Sequence, residues 1–120
     1  MSEHDNQVAV FDVLRLNERR YPFLRWVHAI PNGGARHPVV AGKLKAEGVK
    51  SGIADIFLPI PMKGKHGMYI EMKYGKNKMS DNQTDFMVFA IDQDYHFYAA
   101  WNAAVALAEI ERYLEIQLTR

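Results

Sequence analysis

Asp55, Glu71 and Lys73 are the side chains of this 120-residue sequence that could do chemistry together. They sit in two strand-like runs, Ile53-Ala-Asp-Ile-Phe-Leu58 and Met68-Tyr-Ile-Glu-Met-Lys-Tyr74, whose other members are apolar or aromatic. Residues two apart in a strand face one side, so Glu71 and Lys73 point together with Tyr69. Ile70, Met72 and Tyr74 face the other way. If the neighbouring strand brings Asp55 alongside, two carboxylates and an ammonium group converge on one spot. Burying an unpaired charge is expensive, and aspartate is disfavoured in strands. These residues are therefore paired for structure or held for chemistry. The chemistry they suit is that of a hard divalent cation such as Mg2+, which takes oxygen ligands from one or two carboxylates, water and phosphate. Such an ion offsets the repulsion between the carboxylates, polarises a phosphodiester and lowers the pKa of bound water. Lys73 would orient that water or stabilise charge developing on phosphate. Glu-x-Lys alone is unspecific and more often a cross-strand or surface ion pair. The weight lies in charged placements on two consecutive strands.

The elements that must position these residues follow from pattern and punctuation. A first helix is expected from about Glu3 to Arg20, with Gln7, Val10, Phe11 and Leu14 along one face and Tyr21-Pro22 ending it. Leu24 to Ile30 reads as a strand closed by the turn signal Pro31-Asn-Gly-Gly. Pro38 to Glu47 reads as a short helix, with proline at its start and Gly48 as its stop. Strands follow at about Ile53–Leu58 and Met68–Tyr74. Ser80-Asp-Asn-Gln83 has capping-box form and opens a helix to about Asp92. Tyr95–Ala100 is a strand, and Asn102 caps a last amphipathic helix reaching about Leu118. The order α-β-α-β-β-α-β-α predicts an α/β domain: a mixed central sheet flanked by helices.

The length predicts one domain, residues 1–120, with a single core. At 48% hydrophobic and 24% charged residues, the composition is that of an ordinary globular protein. No apolar run approaches the roughly 20 residues needed to span a bilayer. The start MSEHDNQ is too polar for a secretory signal, so a cytoplasmic location without membrane association is expected. The absence of cysteine excludes disulfides, thiolate nucleophiles and zinc knuckles. No Gly-x-Ser-x-Gly elbow supports serine catalysis. Without a Walker loop, no nucleotide cofactor is expected. The net charge of +1 conceals an uneven distribution. From Asn32 to Ser80 nine basic residues stand against three acids, from Asp81 onward two against seven, and residues 1–31 balance at four each. Lysine-rich loops can be merely solvated. This basic segment also contains Asp55, Glu71 and Lys73, which favours an anionic substrate such as nucleic acid.

Gly52-Ile-Ala-Asp55, Tyr69-Ile-Glu-Met-Lys73 and Gly75-Lys76…Ser80-x-x-Gln83 together resemble the VRR-NUC family, the virus-type replication-repair nucleases of the PD-(D/E)XK superfamily. Ile30-Pro-Asn-Gly-Gly34, Glu47-Gly48-x-x-Ser-Gly52 and the terminal strand–helix pair extend the resemblance over nearly the whole chain. Ala54 stands where the superfamily name has proline, a position that ligates no metal. The resemblance implies a restriction-endonuclease-like fold and a Mg2+- or Mn2+-dependent endonuclease. Asp55 and Glu71 would be metal ligands, with the backbone carbonyl of Met72 as a further oxygen, and Lys73 the catalytic lysine. Gln83 matches the family's glutamine after the Glu-x-Lys strand, a role compatible with capping its helix. A Glu-x-x-x-Gln pattern on the first helix fits Glu3 and Gln7. Glu18, continuing a stripe through Phe11 and Leu14, is the rival for the helix-one carboxylate. Stand-alone members resemble structure-selective enzymes that act on branched DNA, four-way (Holliday) junctions included, as homodimers in phage replication and repair. A non-cleaving nucleic-acid-binding module with the same fold is the alternative, and an RNA nuclease or small-nucleotide phosphodiesterase a third.

Other residues carry two readings each. Asn32-Gly33-Gly34 is a turn, or its freed N–H groups and Arg36 approach a phosphate. Lys43, Lys76 and Lys78 contact the DNA backbone or are solvated. His28, on an apolar strand, is expected to be packed. Trp26 and Trp101, outside the basic segment, are expected to be core or interface anchors rather than base-stacking platforms.

Overall fold

A computed structural model describes residues 1–32 and 37–120. The chain runs through α1 (Glu3–Leu16), a 3-10 turn (Pro22–Trp26), β1 (His28–Ala29), α2 (Pro38–Ala46), β2 (Ile56–Leu58), β3 (Met68–Met72), α3 (Asp81–Asp92), β4 (His96–Ala100) and α4 (Ala103–Leu114). The strands lie in the order β1-β2-β3-β4. The β1–β2 and β2–β3 pairs are antiparallel, and β3 runs parallel to β4. A parallel pair needs a crossover, and α3 supplies it. The expected mixed sheet flanked by helices is the observed one, in the expected order.

The pleat divides the sheet into two faces. Ile56, Leu58, Met68, Ile70 and Met72 pack with Val10 and Leu14 of α1 and with Leu107 and Ile110 of α4 in one core cluster. On the other face Tyr69 meets Phe57 (4.6 Å between centroids) and, edge-on, Phe86 of α3 (4.9 Å). Glu71 lies on this second face, beneath α3. Gly52 sets the approach of the β2 segment to that helix. Its φ is +84°, and a Cβ there would stand 2.7 Å from the Cβ of Asn82. Only glycine fits such an approach without displacement.

Several boundaries differ from the sequence pattern. Of the expected strand Leu24–Ile30 only His28–Ala29 forms one, and the part before it is a turn. Leu24 N–H donates to Tyr21 O and Val27 N–H to Leu24 O, the i→i+3 bonds of a 3-10 turn. That turn buries Leu24 and Val27, three apart, where alternation would have buried Trp26 and His28. α1 stops at Leu16 instead of Arg20. Asn17 caps it, and its side-chain Nδ2 donates to Val13 O (2.8 Å) and Thr119 O (2.7 Å). α4 stops at Leu114, where Glu115 takes a left-handed conformation (φ 57°) and turns the tail back, so that Leu118 is buried outside the helix. In both helices the stop depends on contacts across the chain. Among the described residues no helix is long and apolar enough to cross a membrane.

Candidate active site

Asp55 and Lys73 each lie one residue outside the regular strands, on backbone that continues the ladder. Asp55 N–H donates to Ile70 O (3.0 Å), Ile30 N–H to Asp55 O (2.8 Å) and Lys73 N–H to Ala100 O (2.8 Å). The three side chains therefore converge at one end of the sheet. Asp55 is held by two donors: Met72 N–H to Oδ2 (2.7 Å) and Asn32 Nδ2 to Oδ1 (2.8 Å). Met72 thus serves Asp55 through its amide, where the sequence pointed to its carbonyl.

Glu71 is 2% exposed and Lys73 6%. The ammonium group is 3.9 Å from Glu71 Oε2, too long for a hydrogen bond. Gln83 joins the two. Its Oε1 accepts from Lys73 Nζ (2.7 Å) and from Ser80 N–H (2.9 Å), while its Nε2 donates to Glu71 Oε2 (3.2 Å). The capping box that starts α3 is present in full. One side chain caps the helix and bridges the charged pair, so the two roles read from the sequence coexist.

Glu71 Oε1 is buried and has no hydrogen-bond partner. Burial first, then the adjacent Asp55 carboxylate, which favours a proton between the two and adds its negative charge, push the Glu71 carboxyl up to about 9, against the pull of Lys73. With no N–H in reach, Oε1 is open to a proton shared towards Asp55, to a water or to a cation. The donor set, carboxylate oxygens at an orphaned buried position, fits a hard divalent ion. Among the described residues no group of three His, Asp or Glu side chains is placed to hold a metal by itself. Two carboxylates would leave the other positions to further protein oxygens, water and substrate.

Glu3 belongs to the same end of the molecule. Its charge contributes to raising Glu71, and Asn77 Nδ2 donates to its Oε2 (3.0 Å). Glu18 lies roughly 20 Å along the α1 direction, in a groove with Arg15 and Arg25. Glu3 stands nearer to Glu71 than Glu18 does.

The chain matches the VRR-NUC domain model over residues 2–103, most of its length. It belongs to the VRR-NUC family. With that membership comes a nuclease-type, hydrolytic function. A solved VRR-NUC domain protein is similar in fold, with a TM-score of 0.77 at 22% identity, over 97% of this chain and 90% of that one. No curated protein matches the sequence. At that identity the structural likeness speaks for the fold.

The remaining expected positions separate. Asn32, read as a turn residue or a phosphate contact, places its side-chain amide on Asp55. Arg36, with Gly33 and Gly34, lies outside the described residues. Lys43 on α2 and Lys76 and Lys78 beyond β3 are exposed. His28 is exposed, not packed, and its Nδ1–H donates to Trp26 O (2.9 Å). Trp26 is also exposed, so it is no core anchor. Trp101 is partly exposed, and its Nε1–H donates to Asn77 O (3.0 Å).

Two asparagines missed in the sequence support this VRR-NUC site. Asn77 ties Glu3 to the loop after β3. Buried Asn6 donates to Ser2 O and accepts from Ala103 N–H, which fixes the start of α1 against α4. Nothing local marks either one, because both partners are distant in sequence.

Proposed function

We propose that this protein is a Mg2+- or Mn2+-dependent endodeoxyribonuclease selective for branched DNA, four-way junctions included, working as a homodimer in phage or prophage replication and repair. The observation that carries the metal-dependent reading is Glu71: a carboxylate almost wholly buried, with one oxygen unpartnered, beside Asp55. A structural ion pair would have met both oxygens. Asp55 and Glu71 would hold the ion, with Glu3 and the Met72 carbonyl as the further oxygens. The ion would polarise the phosphodiester and supply hydroxide near neutral pH.

The protein's own groups do the rest. Asn32 and the Met72 amide fix the Asp55 carboxylate. Gln83 holds the Lys73 ammonium facing Glu71, where it would stabilise charge on the phosphate. Exposed Lys43, Lys76 and Lys78 would contact the DNA backbone, positioning it without reading sequence. Branched DNA and the homodimer rest on the family resemblance together with geometry: one small domain offers one active site, and a symmetric junction needs two.

The test is cleavage of labelled four-way junction, flap and linear duplex DNA, alongside RNA, in Mg2+, Mn2+ or EDTA, with Lys73→Ala in parallel. Metal-dependent cutting that is lost in the variant is the expected result, with junctions cut fastest and a dimer in sedimentation. Binding without cutting in every metal would make the protein a non-cleaving module. Preferential cutting of linear duplex would remove the branched-DNA assignment.

A further inference from the structure

Trp26 is 61% exposed, the most exposed aromatic side chain among the described residues. A tryptophan in water leaves a large apolar face uncovered. This one is not loosely placed. It ends the 3-10 turn between buried Leu24 and Val27, and its carbonyl accepts from His28 Nδ1. The Arg25 guanidinium lies over the ring, 4.8 Å from its centroid. Arg20 stacks on Tyr21 (5.0 Å), and Phe23 between them is 37% exposed. Among the described residues none of Arg19, Arg20 and Arg25 is paired with a carboxylate; the neighbouring Arg15 is, with Asp12. Arg25 lies on Trp26 and Arg20 on Tyr21, so two of these arginines stack on aromatic rings of one short segment.

We infer that Trp26 and Arg25 form a stacking site for an unpaired base of the nucleic acid, with Arg19 and Arg20 on the flanking phosphates. The inference rests on the DNA-cleaving reading above. Aromatic rings interleaved with arginine are the platform on which single-stranded bases stack, whatever their sequence. The surface favours a polyanion over a second copy of this chain. A two-fold contact sets the same patch against itself, and here that would bring arginine against arginine. Trp26 also stands in reach of the site. Ile30, whose N–H donates to the Asp55 carbonyl, is four positions on, a span of at most about 14 Å. The stacked base would lie several nucleotides along the strand from the scissile phosphate. Glu18 lines the groove beside Arg25.

The test is binding in EDTA, where no cutting intervenes, to a labelled blunt duplex and to the same duplex with a four-nucleotide single-stranded tail. The tail should tighten binding by the wild-type protein about tenfold. Trp26→Ala should lose that gain, keep the blunt-duplex affinity and melt like the wild type. Trp26→Phe should restore part of it, and Glu18→Gln should tighten tailed DNA further. Tailed DNA should also quench tryptophan emission in wild type but not in Trp26→Phe, which retains Trp101. Equal tail gains in wild type and Trp26→Ala would overturn the stacking site, as would Trp26→Ala converting a dimer to monomer. DNA bound without any tail gain refutes this site alone. No binding to any DNA refutes the reading on which it rests.

Discussion

Two buried glutamates, Glu71 beneath α3 and Glu109 on α4, differ in exposure by only a few percent, 2% against 6%. Their surroundings are opposite. Glu109 accepts from Arg112 at both oxygens (2.8 and 2.7 Å) and pairs with His96 Nε2 (2.5 Å). Burial raises its pKa, but hydrogen bonds from Arg112 and then His96, with their charges, outweigh burial and hold it below the usual range. Glu71 has one weak donor on Oε2, none on Oε1 and a second carboxylate beside it, and its pKa rises to about 9. Depth does not decide what a carboxylate is for. Glu109 is a structural ion pair with both oxygens met. Glu71 is kept short of partners, and an unmet oxygen at a family-specific position is where a cation would add most.

Breaking the comparison begins with activity. Asp55→Ala and Glu71→Gln should each cut DNA about a thousandfold more slowly or worse, since a lost metal ligand costs several kcal/mol in the transition state. Glu109→Gln should keep cutting at temperatures where it is folded. Equal losses at Glu71 and Glu109 would show that both act only through folding.

Next come the residues that hold the ligands. Asn32→Ala frees Asp55 Oδ1 and Asn77→Ala frees Glu3. Each should cost about 10–100-fold in activity or metal affinity, read by titrating Mn2+ against rate. Full activity in Asn77→Ala would remove Glu3 from the site.

Stability should move the other way. Glu109→Gln weakens hydrogen bonds to a charged group and should cost roughly 1–3 kcal/mol, seen as a lower urea midpoint. Glu71→Gln, which removes an underpartnered buried acid, should match or exceed wild-type stability in EDTA. A large loss there would mean that Glu71 is structural after all.

The last test is the sign of the pH slope in EDTA. Folded Glu71 holds an extra proton from the ordinary value of 4.5 up to about 9. Its contribution is complete below 4.5 and drains away as pH rises towards 9. Folded Glu109 gives up its proton more readily than the unfolded chain. Its contribution is present above 4.5 and is lost as pH falls through the folded value. Unfolding free energies of wild type minus each Gln variant should therefore slope in opposite directions. Slopes of one sign would overturn the comparison.

The local chemistry of the site was legible because it is short-range. The period-2 register put Glu71 beside Lys73, and Ser80-x-x-Gln83 named both the helix start and the side chain that bridges the pair. Pro38 and Gly48 bounded α2 to within a residue. The apolar run Leu24–Ile30 misled, because its hydrophobicity does not alternate about the residues that are buried. Leu24 and Val27, three apart, take the core, and the residues between them go to solvent. Asn32 was legible as a turn residue but not as the partner of Asp55, which lies 23 positions on.

The sequence by itself determined the order of elements, the mixed sheet, the family and the cluster of Asp55, Glu71 and Lys73. These follow from periodicity, capping and turn chemistry, which act over a few residues. Tertiary structure alone decided that Glu3 rather than Glu18 stands near the cluster, that one oxygen of Glu71 lacks a partner while Glu109 has three donors, and that Trp26 faces water under the Arg25 guanidinium. Each outcome depends on what distant segments bring, or fail to bring, within about 3 Å. Desolvation and hydrogen-bond satisfaction belong to the assembled fold, and no window of sequence contains them.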